Sequence, residues 1–136
     1  MKSLLIFISF ALLAWACAVE QPVSIRKADS GPDPGKDSVE YELIVFDTGF
    51  ESWFLSRARP VNWHDQSWYE SRNRQYVHEW NSRNLGSRYR ELIDGYINYE
   101  PDVDYGPEIN HKLFYYFMYV EHELGIPILE HGPRAW

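Results

Sequence analysis

Pro-Glu-Ile-Asn-His-Lys-Leu-Phe-Tyr-Tyr-Phe-Met-Tyr-Val-Glu-His-Glu-Leu-Gly, residues 107–125, reads as one long helix. Proline suits the first helical position, where its missing N–H is no loss, and Glu108 sits where the positive end of the helix dipole favours a carboxylate. Ile109, Leu113, Tyr116, Phe117, Val120 and Leu124 recur at spacings of three and four, so they share one stripe. Gly125 is the residue type that closes a helix. A stripe of this size has to be covered by another layer of the fold, and the residues before it supply one.

Upstream, Asp65 or Ser67 can cap a second helix running to about Asn84. Tyr69, Asn73, Tyr76, Val77 and Trp80 line its inner face, and Gly86 is placed to end it. Glu40 to Asp47 begins as polar alternation and passes into Leu43-Ile44-Val45-Phe46, which predicts a strand buried on both faces and ended by Thr48-Gly49. Glu51 to Ser56 fits a short helix, stopped before Pro60. Asp94-Gly95, between Leu92-Ile93 and Tyr96-Ile97, is a two-residue hairpin signal, and Ile126 to Leu129 suggests a short edge strand. The expected architecture is a small α+β domain over residues 39–136, with one buried strand and short β pieces packed on two amphipathic helices.

The core of that domain has to be aromatic. Five Trp, ten Tyr and five Phe lie between Val39 and Trp136, and rings burying ~150–250 Å² each let a short chain stabilise itself without disulfides. Trp53, Trp63 and Trp68 stand near Arg57, Arg59 and His64, which makes these six residues the candidate ligand-binding set. Seven arginines fall between Arg57 and Arg90, while Glu91 to Glu130 is rich in acids. Such halves can pair within the fold or leave a basic face for an acidic ligand or glycan. With a formal net charge of −7, the chain is a poor prospect for nucleic acid, whose affinity comes from neutralising phosphates.

Residues 1–16 read as an export signal: Lys2 provides the positive start, Leu4 to Ala14 an apolar run, and Ala14-Trp15-Ala16 small residues at the cleavage site. Cys17, the only cysteine, follows at once and fits a bacterial lipoprotein signal in which the thiol takes a diacylglyceryl group. Ala14 stands three residues before it where leucine is commoner, and ordinary cleavage after Ala16 is the rival. A lone cysteine has no disulfide partner, and lipidation removes a free thiol from an oxidising compartment. Residues 17–38, with Ser30-Gly31-Pro32-Asp33-Pro34-Gly35 at their centre, read as a lipidated cysteine and a flexible tether.

Complete catalytic sets are lacking. Phe46-Asp47-Thr48-Gly49 resembles the aspartic protease signature, but those enzymes need two such aspartates, and Asp47 and Gly49 read instead as a strand-ending turn. Glu100, Asp102, Asp104, Gly106 and Glu108 have the spacing of half a calcium loop, with Leu113 where the twelfth-position acid belongs. His111 and His122 are ~16 Å apart on one helix, too far to share a metal. No metal or cofactor is implied.

Tyr41-Glu-Leu-Ile-Val-Phe-Asp-Thr-Gly-Phe-Glu-Ser-Trp-Phe-Leu55, then Asn62-Trp-His-Asp65 and Tyr76-Val-His-Glu-Trp-Asn81, resembles a family of short uncharacterised envelope proteins of Gram-negative bacteria. Asp104-Tyr-Gly106 leading into Leu113-Phe-Tyr-Tyr-Phe117 is similar to the family's second block. The resemblance implies an exported, often lipid-anchored domain of unknown function and names no catalytic residues. The expected protein is therefore a lipoprotein of the cell envelope, with an enzyme using Asp47 or the acids at Glu100 to Glu108 as the third reading. It would be held at a membrane, the outer favoured over the inner, and bind an envelope protein or polymer, with a glycan-binding or glycan-processing accessory role as the alternative.

Overall fold

In the computed structural model, which describes residues 22–28, 40–83 and 95–129, the helix expected over residues 107–125 spans Gly106–His122 and is the element on which most others pack. Strands β1 (Val23–Lys27) and β2 (Tyr41–Val45) precede helices α1 (Thr48–Arg57), α2 (Gln66–Arg83) and α3 (Gly106–His122). β2, α1 and α2 each pack on α3, while β1 pairs with β2. This is an α+β domain with an aromatic core, as the sequence predicts.

α3 is buried on more than a stripe. Asn110, His111 and every residue from Leu113 to Val120 are buried, because the helix is covered on several sides at once. Leu124, expected on the stripe, lies exposed beyond the helix end. There Gly125 takes φ +67° and lets the Leu124 and Ile126 N–H groups reach back to the Tyr119 and Val120 carbonyls. The inner face of α2 is the one expected: Tyr69, Asn73, Tyr76, Val77 and Trp80 are all buried. Tyr76 stacks on Phe117 at 4.9 Å and 10°.

Four expectations are corrected. Val23–Lys27 is a strand rather than part of a tether, paired antiparallel with β2 in the register Val23↔Val45, Ile25↔Leu43 and Lys27↔Tyr41. Val23 and Ile25 alternate with polar residues, which suits a sheet covered on one side only. For the same reason β2 is not buried on both faces: only Leu43 is fully buried, and Phe46 is 39% exposed. Ile126 to Leu129 forms no strand. Its Ile128 and Leu129 N–H groups donate to the Glu121 carboxylate instead, and Ile126 and Ile128 plug the core. Of the expected hairpin, Leu92 to Asp94 lie outside the described residues, as does Gly86. Tyr96 to Glu100 is irregular, and the Asn81 carboxamide satisfies both the N–H and the carbonyl of Ile97.

Gly49 is the fourth. It is helical and its φ is not positive, so no special turn requires it. What requires glycine is space: a Cβ there would lie 2.6 Å from the Tyr119 hydroxyl.

Candidate functional site

The connection between α1 and α2 is built so that its backbone is held and its side chains face out. α1 ends at Arg57, where the Ala58 N–H still bonds to the Phe54 carbonyl. At the next residue, the Arg59 N–H donates to the Tyr115 hydroxyl at 3.0 Å, and His111 Nε2 donates to the Arg59 carbonyl at 2.7 Å. Both anchors come from α3, one helical turn apart, so the Arg59 backbone is clamped to the core. Burial pushes the His111 imidazole below its ordinary value, which keeps it neutral with its proton on Nε2.

Past that clamp, Pro60 starts a 3-10 turn over Val61–Trp63. The Trp63 ring is 55% exposed, and the Arg59 guanidinium carbon lies 4.4 Å from its centroid. At that distance a cation–π contact is worth about 0.5–1 kcal/mol at an exposed site. His64, next in sequence, stacks on Trp68 at 3.7 Å and 15°, and the Arg72 guanidinium sits 5.3 Å from the Trp68 centroid. Trp68 is only half-buried, with its edge against Phe114 at 5.1 Å.

Asp65 sets this second stack. As N-cap of α2 its Oδ1 accepts from the Trp68 N–H at 2.8 Å and from the Ser67 hydroxyl at 2.9 Å, and these bonds hold its carboxyl below the usual range. The result is two surface stacks that are consecutive in sequence at Trp63 and His64: Arg59 on Trp63, and His64 on Trp68 with Arg72 nearby; together they are called the plate. An exposed indole and a guanidinium on a held backbone can take up an anionic or planar group at a lower ordering cost.

Of the six candidate ligand residues, Arg59, Trp63, His64 and Trp68 come together here. Trp53 does not: it is 8% exposed and packs on Tyr119 at 5.5 Å, so it belongs to the core. Arg57 is exposed in the last turn of α1, where its charge suits the helix dipole. Cys17 and residues 1–16 lie outside the described residues. Sequence reasoning missed Arg72, whose signal was its position four residues after Trp68 on α2. It also missed His111 and Tyr115, four apart on α3 and facing the same loop.

The acidic segment before α3 has a different use. Asp104 Oδ1 accepts from the Gly106 N–H at 3.0 Å and from Gln66 Nε2 at 2.6 Å, which lowers its carboxyl and ties α3 to the start of α2. Gly106 takes φ +80°, a conformation costly for other residues. Glu40, Tyr41, Asp104, Tyr105 and Glu108 border an open cavity of about 330 Å³ at this end. Among the described residues no group of three or more His, Cys, Asp or Glu is arranged to hold a metal ion.

The Asp-Thr-Gly motif also has a structural use. Asp47 is the N-cap of α1, its Oδ1 accepting from the Gly49 N–H at 2.8 Å and the Tyr119 hydroxyl at 3.0 Å. Among the described residues no helix is long and apolar enough to cross a membrane.

No curated protein and no solved structure matches the chain. A family model does, over residues 4–131, nearly the whole length and including the clamped loop and both packing helices. The chain belongs to a family of unknown function, DUF6146.

Proposed function

We infer that this chain is an exported, lipid-anchored envelope module, attached through Cys17, that binds an anionic protein or polymer surface with the plate of Arg59, Trp63, His64, Trp68 and Arg72. The carrying observation is the exposed Trp63 ring under Arg59 on a backbone clamped by His111 and Tyr115. Trp and Arg are the residue types that dominate binding energy at interfaces. Positions fixed from beneath lower the ordering cost that binding would otherwise carry. An overall negative chain with a local cationic plate also orients an anionic partner toward that plate. The export signal and Cys17 support the envelope location.

The test uses the purified full-length chain with isolated peptidoglycan sacculi in co-sedimentation and with lipopolysaccharide in a fluorescence titration. Binding by the native chain should weaken by about tenfold or more in Trp63→Ala and Arg59→Ala, with unchanged circular dichroism. Equal binding by native and variant chains would remove the plate from the function.

A glycan-binding role is favoured by one observation, the open Trp63 ring, since sugar rings stack on exposed indoles. It separates from the anionic reading by salt and by charge: neutral oligosaccharides should then quench Trp63, and the effect should survive high ionic strength.

A further inference from the structure

The finding that β1 starts at Val23 changes the geometry of attachment. The Pro22 carbonyl already accepts the Phe46 N–H at 3.1 Å, and Val23 pairs with Val45. Cys17 and Pro22 are five residues apart, and that length of chain spans at most about 18 Å fully extended. A linker reaching to Ser38 would have let the domain turn freely, but a link this short holds one particular end of it near the lipid.

That end can be named. β2 and α3 run side by side in the same direction: Tyr41 packs edge-on against Tyr105 at 4.9 Å, just before α3 starts, and Asp47, just past β2, accepts from Tyr119 near the end of α3. The 17 residues of α3 therefore span about 25 Å between two ends of the domain. Pro22 and Phe46 lie at the Tyr119 end. Phe46 is exposed there, and so is Leu124, whose N–H bonds to the Tyr119 carbonyl. The opposite end carries Glu40, Asp104 and Glu108 around the cavity; the Tyr119 end has carboxylates of its own in Asp47, Glu51 and Glu123, so the short link from Cys17 and the exposed Phe46, and not charge, distinguish the two ends.

We propose that the domain stands on the bilayer that anchors it, with Pro22, Phe46 and the first turn of α1 at the headgroups and the cavity end pointing away. This rests on the lipid anchor inferred above. An aromatic ring gains from sitting at the bilayer interface, and the chain leaving Pro22 brings Phe46 within reach of it.

Lipidation leaves no other thiol in the chain, so Thr48→Cys and Lys27→Cys each add a single labelling site, both exposed. The lipidated full-length protein, carrying bimane at one site or the other, is reconstituted in phosphatidylethanolamine–phosphatidylglycerol vesicles containing a headgroup-region spin-labelled lipid. The probe at residue 48 should be quenched at least about threefold more than the probe at residue 27, about 13 Å farther along the sheet. Phe46→Ser in the Thr48→Cys background should reduce that quenching. Equal quenching at both sites, or more at residue 27, in a protein that incorporates palmitate would overturn the orientation and leave the anchor standing. No palmitate incorporation would overturn the anchor and the orientation together.

Discussion

The Tyr119 hydroxyl lies where a side chain at Gly49 would begin: an added Cβ would be 2.6 Å from it and 3.2 Å from Asp47 Oδ1. The start of α1 therefore lies as close to the Tyr119 side chain of α3 as a bare backbone allows. Helix propensity alone favours alanine over glycine by about 1 kcal/mol, whereas overpacking costs about 1–3 kcal/mol. Gly49→Ala should destabilise the domain by that second amount in urea denaturation. Tyr119→Phe in the same chain should recover part of the loss, giving a non-additive double-mutant cycle. A stabilised Gly49→Ala protein would contradict the close approach.

Asn110 gathers three partners inside the protein. Its Oδ1 accepts from Tyr99 at 2.7 Å and from Asn73 Nδ2 at 3.3 Å, and its Nδ2 donates to the Gly106 carbonyl at 2.9 Å. Asn110→Ala should cost about 2–4 kcal/mol, since it strands buried donors as well as removing bonds. Thermal unfolding measures the loss, and a drop below about 1 kcal/mol would mean that water replaces the side chain.

Indole substitutions should divide sharply by burial. Trp80 is fully buried and donates Nε1–H to the Gly95 carbonyl at 2.9 Å, so Trp80→Ala should cost about 3–5 kcal/mol. Trp63→Ala gives up a partly exposed ring and one cation–π contact, and about 1 kcal/mol or less is expected. Chemical denaturation of both variants makes the comparison.

Acid should loosen the Arg59 clamp. With the folded His111 value depressed by burial, the unfolded chain binds a proton first as pH falls below its ordinary 6.5, so stability is full above that value and declines below it. Glu108 acts on the ring in the opposite sense but does not outweigh burial. His111→Gln should remove part of this acid slope in denaturation midpoints taken between pH 7.5 and 5.

At the alkaline end the sign is reversed. Burial is the main force pushing the Tyr99 and Tyr119 hydroxyls up to about 12 from 10, with Glu70 adding to it for Tyr99 and Asp47 for Tyr119. Their contribution is intact below pH 10 and is lost between 10 and 12, as the unfolded chain ionises first. Tyrosinate absorbance should rise later in the native protein than in urea.

The helices were legible because packing against a core leaves a period in the sequence: the α2 face follows from spacing, and the choice of cap between Asp65 and Ser67 is settled by the Asp65 Oδ1 bond to the Trp68 N–H. β1 escaped because Val23-Ser-Ile-Arg-Lys27 is brief and lies beside proline- and glycine-rich chain, and its only mark is the Val23–Ile25 alternation. The end of α3 misled for another reason. Ile126 to Leu129 has the residues of a strand, but its backbone is satisfied by a carboxylate, and a side chain seven residues away leaves no periodic trace. Four members of the surface plate were named from composition. Trp53 could not be separated from them, since an indole in the core and one on the surface read alike until the fold assigns them a side.

Because α1 and α2 pack mainly on α3, and β2 packs on it as well as on β1, nothing made before Gly106 has a completed core to fold into. A chain threaded across a membrane from its N-terminus would thus remain unfolded until its final fifth was available. A truncation ahead of α3 should leave a chain with no native state to reach.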